Sequence, residues 1–406
     1  MLIGCAPALV VEPSLTGLPP DIRIDQHEWY TTAHHTGRGF ENVHNGAPKP
    51  SRLRIVTWVL SRVFAPKDSD PPPAVTIGAE AIESRPEHIR ATWIGHGTVY
   101  VQTPDLDFLI DPVFSERVSP FSWVGQSRRV PLTTELDDLP RLDAVLISHD
   151  HYDHLDQLTV EALVERFNPV FFVPLGLGPY VRSWGAERVA ELDWWQFVEM
   201  GGYRFTCAPA QHNSGRRLAG GDRTLWAGWY VEPLDSEARP GLRVFYGGDT
   251  GYGTQFDAVR EVLGEPDLAI LPVGAYAPRW MMAAKHVNPE EAVQAFTDLR
   301  GDAPSPHGRN MLAMHWGTFA LADEPLREPG RRTLAAADSA GLSERVQVLP
   351  IGGAIEIASD GALFRIAGPV ESVPSAGGVD VPPTLPTTEM EGARDRGRRL
   401  RMLVER

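Results

Sequence analysis

Between positions 149 and 154 the chain reads His149-Asp150-His151-Tyr152-Asp153-His154, and five of these six side chains can bind a metal or titrate. Imidazoles and carboxylates at this density suit a divalent cation, and a cation suits hydrolysis because it acidifies water. Side chains two apart in an extended loop point the same way, so His149 and His151 can hold one cation while Asp153 and His154 turn toward a second. Three further segments offer donors of the same kind: Gln211-His212, Gly247-Gly248-Asp249-Thr250-Gly251 and His315-Trp316-Gly317-Thr318-Phe319. Taken singly, a His-rich loop can be a solvated turn, GDTG a tight turn that needs glycine, and His212 or His315 an ordinary histidine.

What sets these segments apart is where they lie relative to apolar runs. Leu142 to Ile147 precedes the histidine block, Tyr203 to Cys207 precedes His212, Leu242 to Tyr246 precedes Asp249, and Met311 to Met314 precedes His315. Short β-branched runs of this kind read as buried strands, so every donor is expected at a strand end, and such ends converge at one edge of a sheet. From about Ile89 to Ile366 further strand-like runs (98–102, 108–110, 170–173, 225–231, 268–271, 354–358) alternate with predicted helices at 155–167, 255–263 and 289–300. The last has Asn288 as cap, Pro289 at its first position, and Glu290 and Glu291 near the positive end of the dipole. The mixture fits two sheets packed between helices.

The flanks read differently. Residues 1–88 are expected to form an arm with one amphipathic helix, Ser51 to Phe64, packing on the main domain at 89–367; residues 368–406 are expected to be a disordered tail, basic from Arg394 to Arg401. The helix carries Arg52, Arg54 and Arg62, so contact with anionic lipid is the alternative to packing. Pro71-Pro72-Pro73 marks a linker or extended arm.

The 406 residues, 42% of them hydrophobic, suffice for one large core or two. A formal net charge of -15 argues against nucleic acid as a partner, because phosphate binding needs a basic footprint. Two cysteines, Cys5 and Cys207, in unrelated contexts imply no disulfide framework. No apolar run reaches the roughly 18 residues that would span a bilayer, so a cytoplasmic or peripheral membrane location is expected. Leu2-Ile3-Gly4-Cys5 matches a lipobox without the upstream regions of a signal peptide, which leaves a lipoprotein reading open if the true start lies upstream.

The His149–His154 block is the HxHxDH motif of the metallo-β-lactamase superfamily. Longer stretches resemble one branch of it, the N-acyl-phosphatidylethanolamine-hydrolysing phospholipase D proteins and their bacterial relatives. These include Trp93-Ile94-Gly95-His96-Gly97-Thr98, Asp111-Pro112-Val113-Phe114-Ser115, the run Ile147 to Asp156, Gly248-Asp249-Thr250-Gly251-Tyr252, the run Pro272 to Met281, His286-Val287-Asn288-Pro289-Glu290-Glu291-Ala292 and His315 to Leu321. The likeness runs from about residue 38 to 366. It implies an α+β fold, a four-layer αββα sandwich with the metals at one edge of the paired sheets. It also implies two zinc ions, the first held by His149, His151 and His212, the second by Asp153, His154 and His315, with Asp249 bridging. Asp150 stands where relatives often carry Asn or Thr.

The reaction implied is phosphodiester hydrolysis of an N-acylated phospholipid to phosphatidic acid and an N-acylethanolamine. Asp153, Asp249 and His286 would take part in catalysis, His286 by orienting phosphate or protonating the leaving oxygen. Tyr276, Arg279 and Trp280, with Met281 and Met282, could line an acyl-chain entrance, core packing being the rival for Tyr276. His96 and Asp111 are expected to brace ligands rather than bind metal. Iron or manganese would suit the same donors, and the same chemistry could cleave a lactone, a thioester or a small phosphodiester. A lipid-binding envelope protein without activity is the remaining alternative. Oligomeric state is not legible in these residues.

Overall fold

The computed structural model describes residues 12–366, apart from 21, 44–50, 65–69, 77–81, 121–122, 124, 217–220, 236–242, 302–308 and 359–361. The lipobox-like Cys5 and the basic tail lie outside the described residues.

Two sheets form the centre. One has nine strands, ordered Ser14–Thr16, Val189–Leu192, Val170–Pro174, Ala144–Leu146, Asp107–Ile110, Thr98–Gln102, Ile89–Gly95, Ala354–Ile357 and Leu363–Arg365. The other has eight: Val346–Gln347, Asn310–Met314, Leu268–Pro272, Val244–Tyr246, Ala227–Pro233, Tyr203–Pro209, Gln196–Met200 and Ile24–Gln26. The period-2 alternation of a strand decides how they face. Phe108, Ile110, Ala144, Leu146, Val170 and Phe172 point into a core shared with Phe205 and Trp229 of the second sheet. Phe172 stacks on Phe205 with ring centroids 4.5 Å apart. The intervening Leu109, Val145, Phe171 and Val173 point the other way and pack with Val160 and Leu163 of the Gln157–Phe167 helix. Helices Gln255–Leu263 and Pro289–Arg300 cover the outer face of the second sheet through Phe256, Val259, Ala292 and Phe296. The layers are helices, sheet, sheet, helices, as expected.

Three strands carry their parallel register through the centre of each sheet, Asp107–Ile110 with Ala144–Leu146 and Val170–Pro174, and Val244–Tyr246 with Leu268–Pro272 and Asn310–Met314. Parallel neighbours end on the same side, which brings the segments after residues 110, 146, 246 and 314 together. The expected cap of the 289–300 helix is present: Asn288 accepts from Glu291 N, and Glu291 closes the capping box on Asn288 N.

The N-terminal arm contributes more than the helix expected of it. Ser14–Thr16 and Ile24–Gln26 add an edge strand to each sheet, pairing with Val189–Glu191 and Gln196–Val198. The Arg52–Phe64 helix is tethered at the domain surface by Trp58 Nε1 to Asp323 (2.6 Å) and by Arg54 over the Trp280 ring (3.9 Å). Its stripe of Leu53, Val56 and Leu60 faces solvent, at 74%, 53% and 57% exposure. Among the described residues no helix is long and apolar enough to cross a membrane.

Candidate metal centre

At the sheet edge where these strands end, two groups of donors assemble. His149, His151 and His212 form one; Asp153, His154 and His315 form the other together with His96; Asp249 lies between them. Asp249 Oδ2 is 3.3 Å from His154 Nε2, 3.8 Å from His212 Nε2 and 3.9 Å from His149 Nε2, and Oδ1 is 3.0 Å from His315 Nε2. All seven residues named for metal in the sequence are thus in one place. Apart from His151 and Asp153, which are partly open to the outside, they are buried.

The local backbone explains how the rings are aimed. His96, Asp111 and His315 each follow a strand and adopt φ of 53°, 41° and 65°, a left-handed conformation that turns the chain sharply at the strand end. His315 N donates to His96 O (2.8 Å) and His96 N to Thr318 Oγ1 (2.7 Å), so the two turns hold each other. Gly248 also has positive φ (60°), and a Cβ there would fall 2.7 Å from Ala227 O, which makes glycine necessary next to Asp249.

Outer partners settle which ring nitrogens carry protons. His212 Nδ1 donates to Lys285 O (3.0 Å), and His154 Nδ1 to the Asp111 carboxylate (2.7 Å). Ser148 spends its hydroxyl proton on Asp111 Oδ2 (2.5 Å), so it can only accept from His149 Nδ1 (2.9 Å). His149 and His212 therefore turn unprotonated Nε2 atoms inward, 2.8 and 3.2 Å from His151 Nδ1. One proton on His151 cannot serve both, and lone pairs facing each other this closely call for a cation between them. The separations among inward atoms, 2.8 to 3.9 Å, bracket the roughly 3.3 Å edge of a tetrahedron with 2.0–2.1 Å bonds. The donors fit a metal.

The electrostatics agree. Burial drives the imidazoles of His149 and His212 well below their ordinary range, helped at His149 by neighbouring rings. At Asp249 burial opposes ionisation, but His315, His154 and His286 outweigh it and hold the carboxyl well below the usual range. Burial also disfavours charge on His315, yet Asp249 and Asp153 lift it to about 9. Without a cation, protons on the second group partly neutralise the acids.

Other expected residues fall in different places. His286 lies at the centre, its buried Nδ1 3.8 Å from Asp249 Oδ2 and without a hydrogen-bond partner; burial lowers it to about 3, so the ring is neutral near pH 7. Arg279 is engaged elsewhere, pairing with both Glu291 oxygens (2.8 and 2.7 Å) and donating to His286 O (2.7 Å). Tyr276 is buried with its hydroxyl on Glu328 (2.7 Å), the packing alternative. Trp280 lies under Arg54. Asp111 braces as expected, accepting also from Ser148 N and Tyr246 Oη (2.7 Å each). His96 Nε2 reaches Asp153 Oδ2 at 2.9 Å, closer to the second group than its sequence position indicated. Asp150 points away from the centre and accepts from Gly215 N (2.8 Å). The sequence reading missed Asn42, whose side chain brackets His212.

The chain is similar in sequence and in fold to several known proteins. Residues 107–316 match the family model described as the Beta-lactamase superfamily domain. An uncharacterized protein of Mycobacterium tuberculosis is 41% identical over 290 residues, 70% of this chain and 74% of that one. The N-acyl-phosphatidylethanolamine-hydrolyzing phospholipase D 1 of Caenorhabditis elegans is 40% identical over 243 residues, covering 57% of this chain and 64% of the worm protein. In fold, the crystal structure of a possible metal-dependent hydrolase from Veillonella parvula superposes with a TM-score of 0.53 at 17% identity, over 66% of this chain and all of that one (100%). With its donors gathered at the edge of a two-sheet sandwich and more than half its length matched by the family model, the chain belongs to the metallo-β-lactamase superfamily of metal-dependent hydrolases.

Proposed function

We propose that the protein is a dinuclear zinc phosphodiesterase of phospholipase D type, acting on N-acyl-phosphatidylethanolamine-like lipids. In this reading His149, His151 and His212 would hold the first ion and Asp153, His154 and His315 the second, with Asp249 available to both. The observation that carries it is the place of Asp249, whose carboxylate approaches histidines of both groups. Donors of imidazole and carboxylate type without thiolate suit zinc, and the described cysteine, Cys207, is buried beside Leu192 O instead. Two bound divalent ions would bring the pKa of water toward neutrality and neutralise phosphoryl charge.

The chain's own residues do the rest. Asp111 fixes the His154 ring and the Ser148 hydroxyl, which in turn fixes His149, so one buried carboxylate orients a ligand of each group. His286 presents an unpartnered nitrogen to the centre, which supports a role in hydrogen-bonding a phosphoryl or leaving oxygen. Arg279 acts indirectly, anchoring the His286 carbonyl to the capped helix.

The lipid part of the reading draws on the 40% identical worm enzyme and on the Arg52–Phe64 helix. Leu53, Val56 and Leu60 recur at i, i+3 and i+7 on its exposed side, and the segment has three arginines and no acid within a chain of net charge -15. Such a face suits an anionic membrane surface, and Arg54 ties it to Trp280, near the 286 segment. Incubation with liposomes containing N-acylated phosphatidylethanolamine, followed by mass spectrometry, tests the reading. Phosphatidic acid and N-acylethanolamine are expected; turnover of acyl lactones, thioesters or bis-nitrophenyl phosphate alone would reject the lipid substrate.

A further inference from the structure

The arm segment 34–42 lies outside residues 107–316, the part matched by the family model, yet it grips the loop that carries His212. Asn42 Nδ2 donates to His212 O (2.7 Å), and Asn42 Oδ1 accepts from His212 N (3.1 Å) and from Trp226 Nε1 (3.1 Å). One side-chain amide thus pairs both backbone groups of one residue, as a neighbouring strand would. Lys285 O takes the Nδ1 proton of the same residue, so the ring and the backbone of His212 are fixed from two directions.

The segment that presents Asn42 is itself seated tightly. His34, fully buried, stacks on Trp194 (4.2 Å between centroids) with its Nε2 2.6 Å from Asp193, and His35 Nε2 reaches the other oxygen at 2.8 Å. Phe40 N donates to Asp222 O (2.7 Å), and a Cβ at Gly39, where φ is +147°, would fall 1.9 Å from that oxygen. Asp222 in turn closes on Ser214, two residues past His212: Ser214 N donates to Asp222 Oδ1 (3.2 Å) and Asp222 N to Ser214 O (3.1 Å). The arm therefore holds the ligand loop at residue 212 and at residue 222.

We propose that Asn42 is a positioning residue for His212, so that the N-terminal arm completes the metal centre of the His149, His151 and His212 group. The inference rests on the reading of His212 as a ligand. Partners that orient a metal ligand typically govern affinity by about 10–100-fold.

Titration of the metal-stripped full chain with cobalt(II), followed by d–d absorption and equilibrium dialysis, tests it. In Asn42→Ala one of the two cobalt sites is expected to weaken by roughly 10–100-fold with an altered spectrum, while the other fills as in the parent. Asn42→Asp keeps the acceptor oxygen and lacks the donor to His212 O; it should shift the same site less, and it serves if the alanine variant does not fold. Parent affinity and parent spectrum in a folded variant, even with a lower Tm, would overturn the proposal, since a merely structural role moves stability alone. A parent chain that binds no cobalt would instead overturn the ligand reading beneath it.

Discussion

Asp111 Oδ2 accepts the Nδ1 proton of His154 at 2.7 Å, with both side chains fully buried. The same carboxylate takes Ser148 N, Ser148 Oγ and Tyr246 Oη, so four donors from three other residues share it. Removing it strands buried donors and frees both rings that depend on it. Asp111→Ala is expected to lower metal affinity or kcat by about 10–100-fold and stability by roughly 3–5 kcal/mol. Metal content, kinetics and urea unfolding check this; a variant with parent metal content and kcat would show the brace to be dispensable.

His286 touches the centre without completing either donor group. His286→Ala should reduce kcat while both metals stay bound, because the His149, His151, His212 group and the Asp153, His154, His315 group, with Asp249, are complete without it, even though its Nδ1 lies among the donor atoms of His212 and Asp249. Metal analysis beside steady-state kinetics separates the outcomes: lost metal would make it a ligand, and unchanged kcat would remove it from the reaction.

Acidic side chains at positions 53 and 60 would reverse the character of the exposed helix stripe. Leu53→Glu with Leu60→Glu is expected to weaken binding to anionic vesicles and hydrolysis of vesicle-borne substrate, while a water-soluble phosphodiester is cleaved as before. Equal loss on both substrates would place the effect in the centre rather than at the membrane.

Stability should fall on acidification through His34. Burial keeps its imidazole below the ordinary 6.5 even though Asp193 pulls the other way. Below pH 6.5 the unfolded chain gains a proton that the folded chain does not, so the contribution present above 6.5 is lost toward the folded pKa, at up to about 1.4 kcal/mol per pH unit. The unfolding free-energy difference between parent and His34→Gln should therefore shrink from pH 7.5 to 5.5. A constant or growing difference would contradict this.

The donors of the centre were legible in sequence because each comes just after an apolar run, and parallel strands deliver their C-terminal loops to one edge. His149, His212, Asp249 and His315 all lie within five residues of such a run. His96 was less legible: its approach to Asp153 depends on an irregular register between Trp93 and Gly95 and on a left-handed turn. The edge strands Ser14–Thr16 and Ile24–Gln26 are three residues each, too short for alternation to register, and are held by their partners. The Glu328–Ser339 helix was obscured by Pro329-Gly330, which reads as a turn; in the fold Gly330 lets that helix approach the Trp316 ring, 2.9 Å from where a Cβ would lie. Arg279 looked free to line an acyl-chain entrance because its partner, Glu291, is twelve residues away and is set by the helix cap.

The most direct measurement of the central claim is metal analysis and activity of the purified chain before and after chelation. About two equivalents of a divalent metal should be present, hydrolysis should vanish on stripping and return on adding zinc, and Asp249→Ala should retain less metal and no activity. A stripped preparation that hydrolyses its substrate at the original rate would contradict the account.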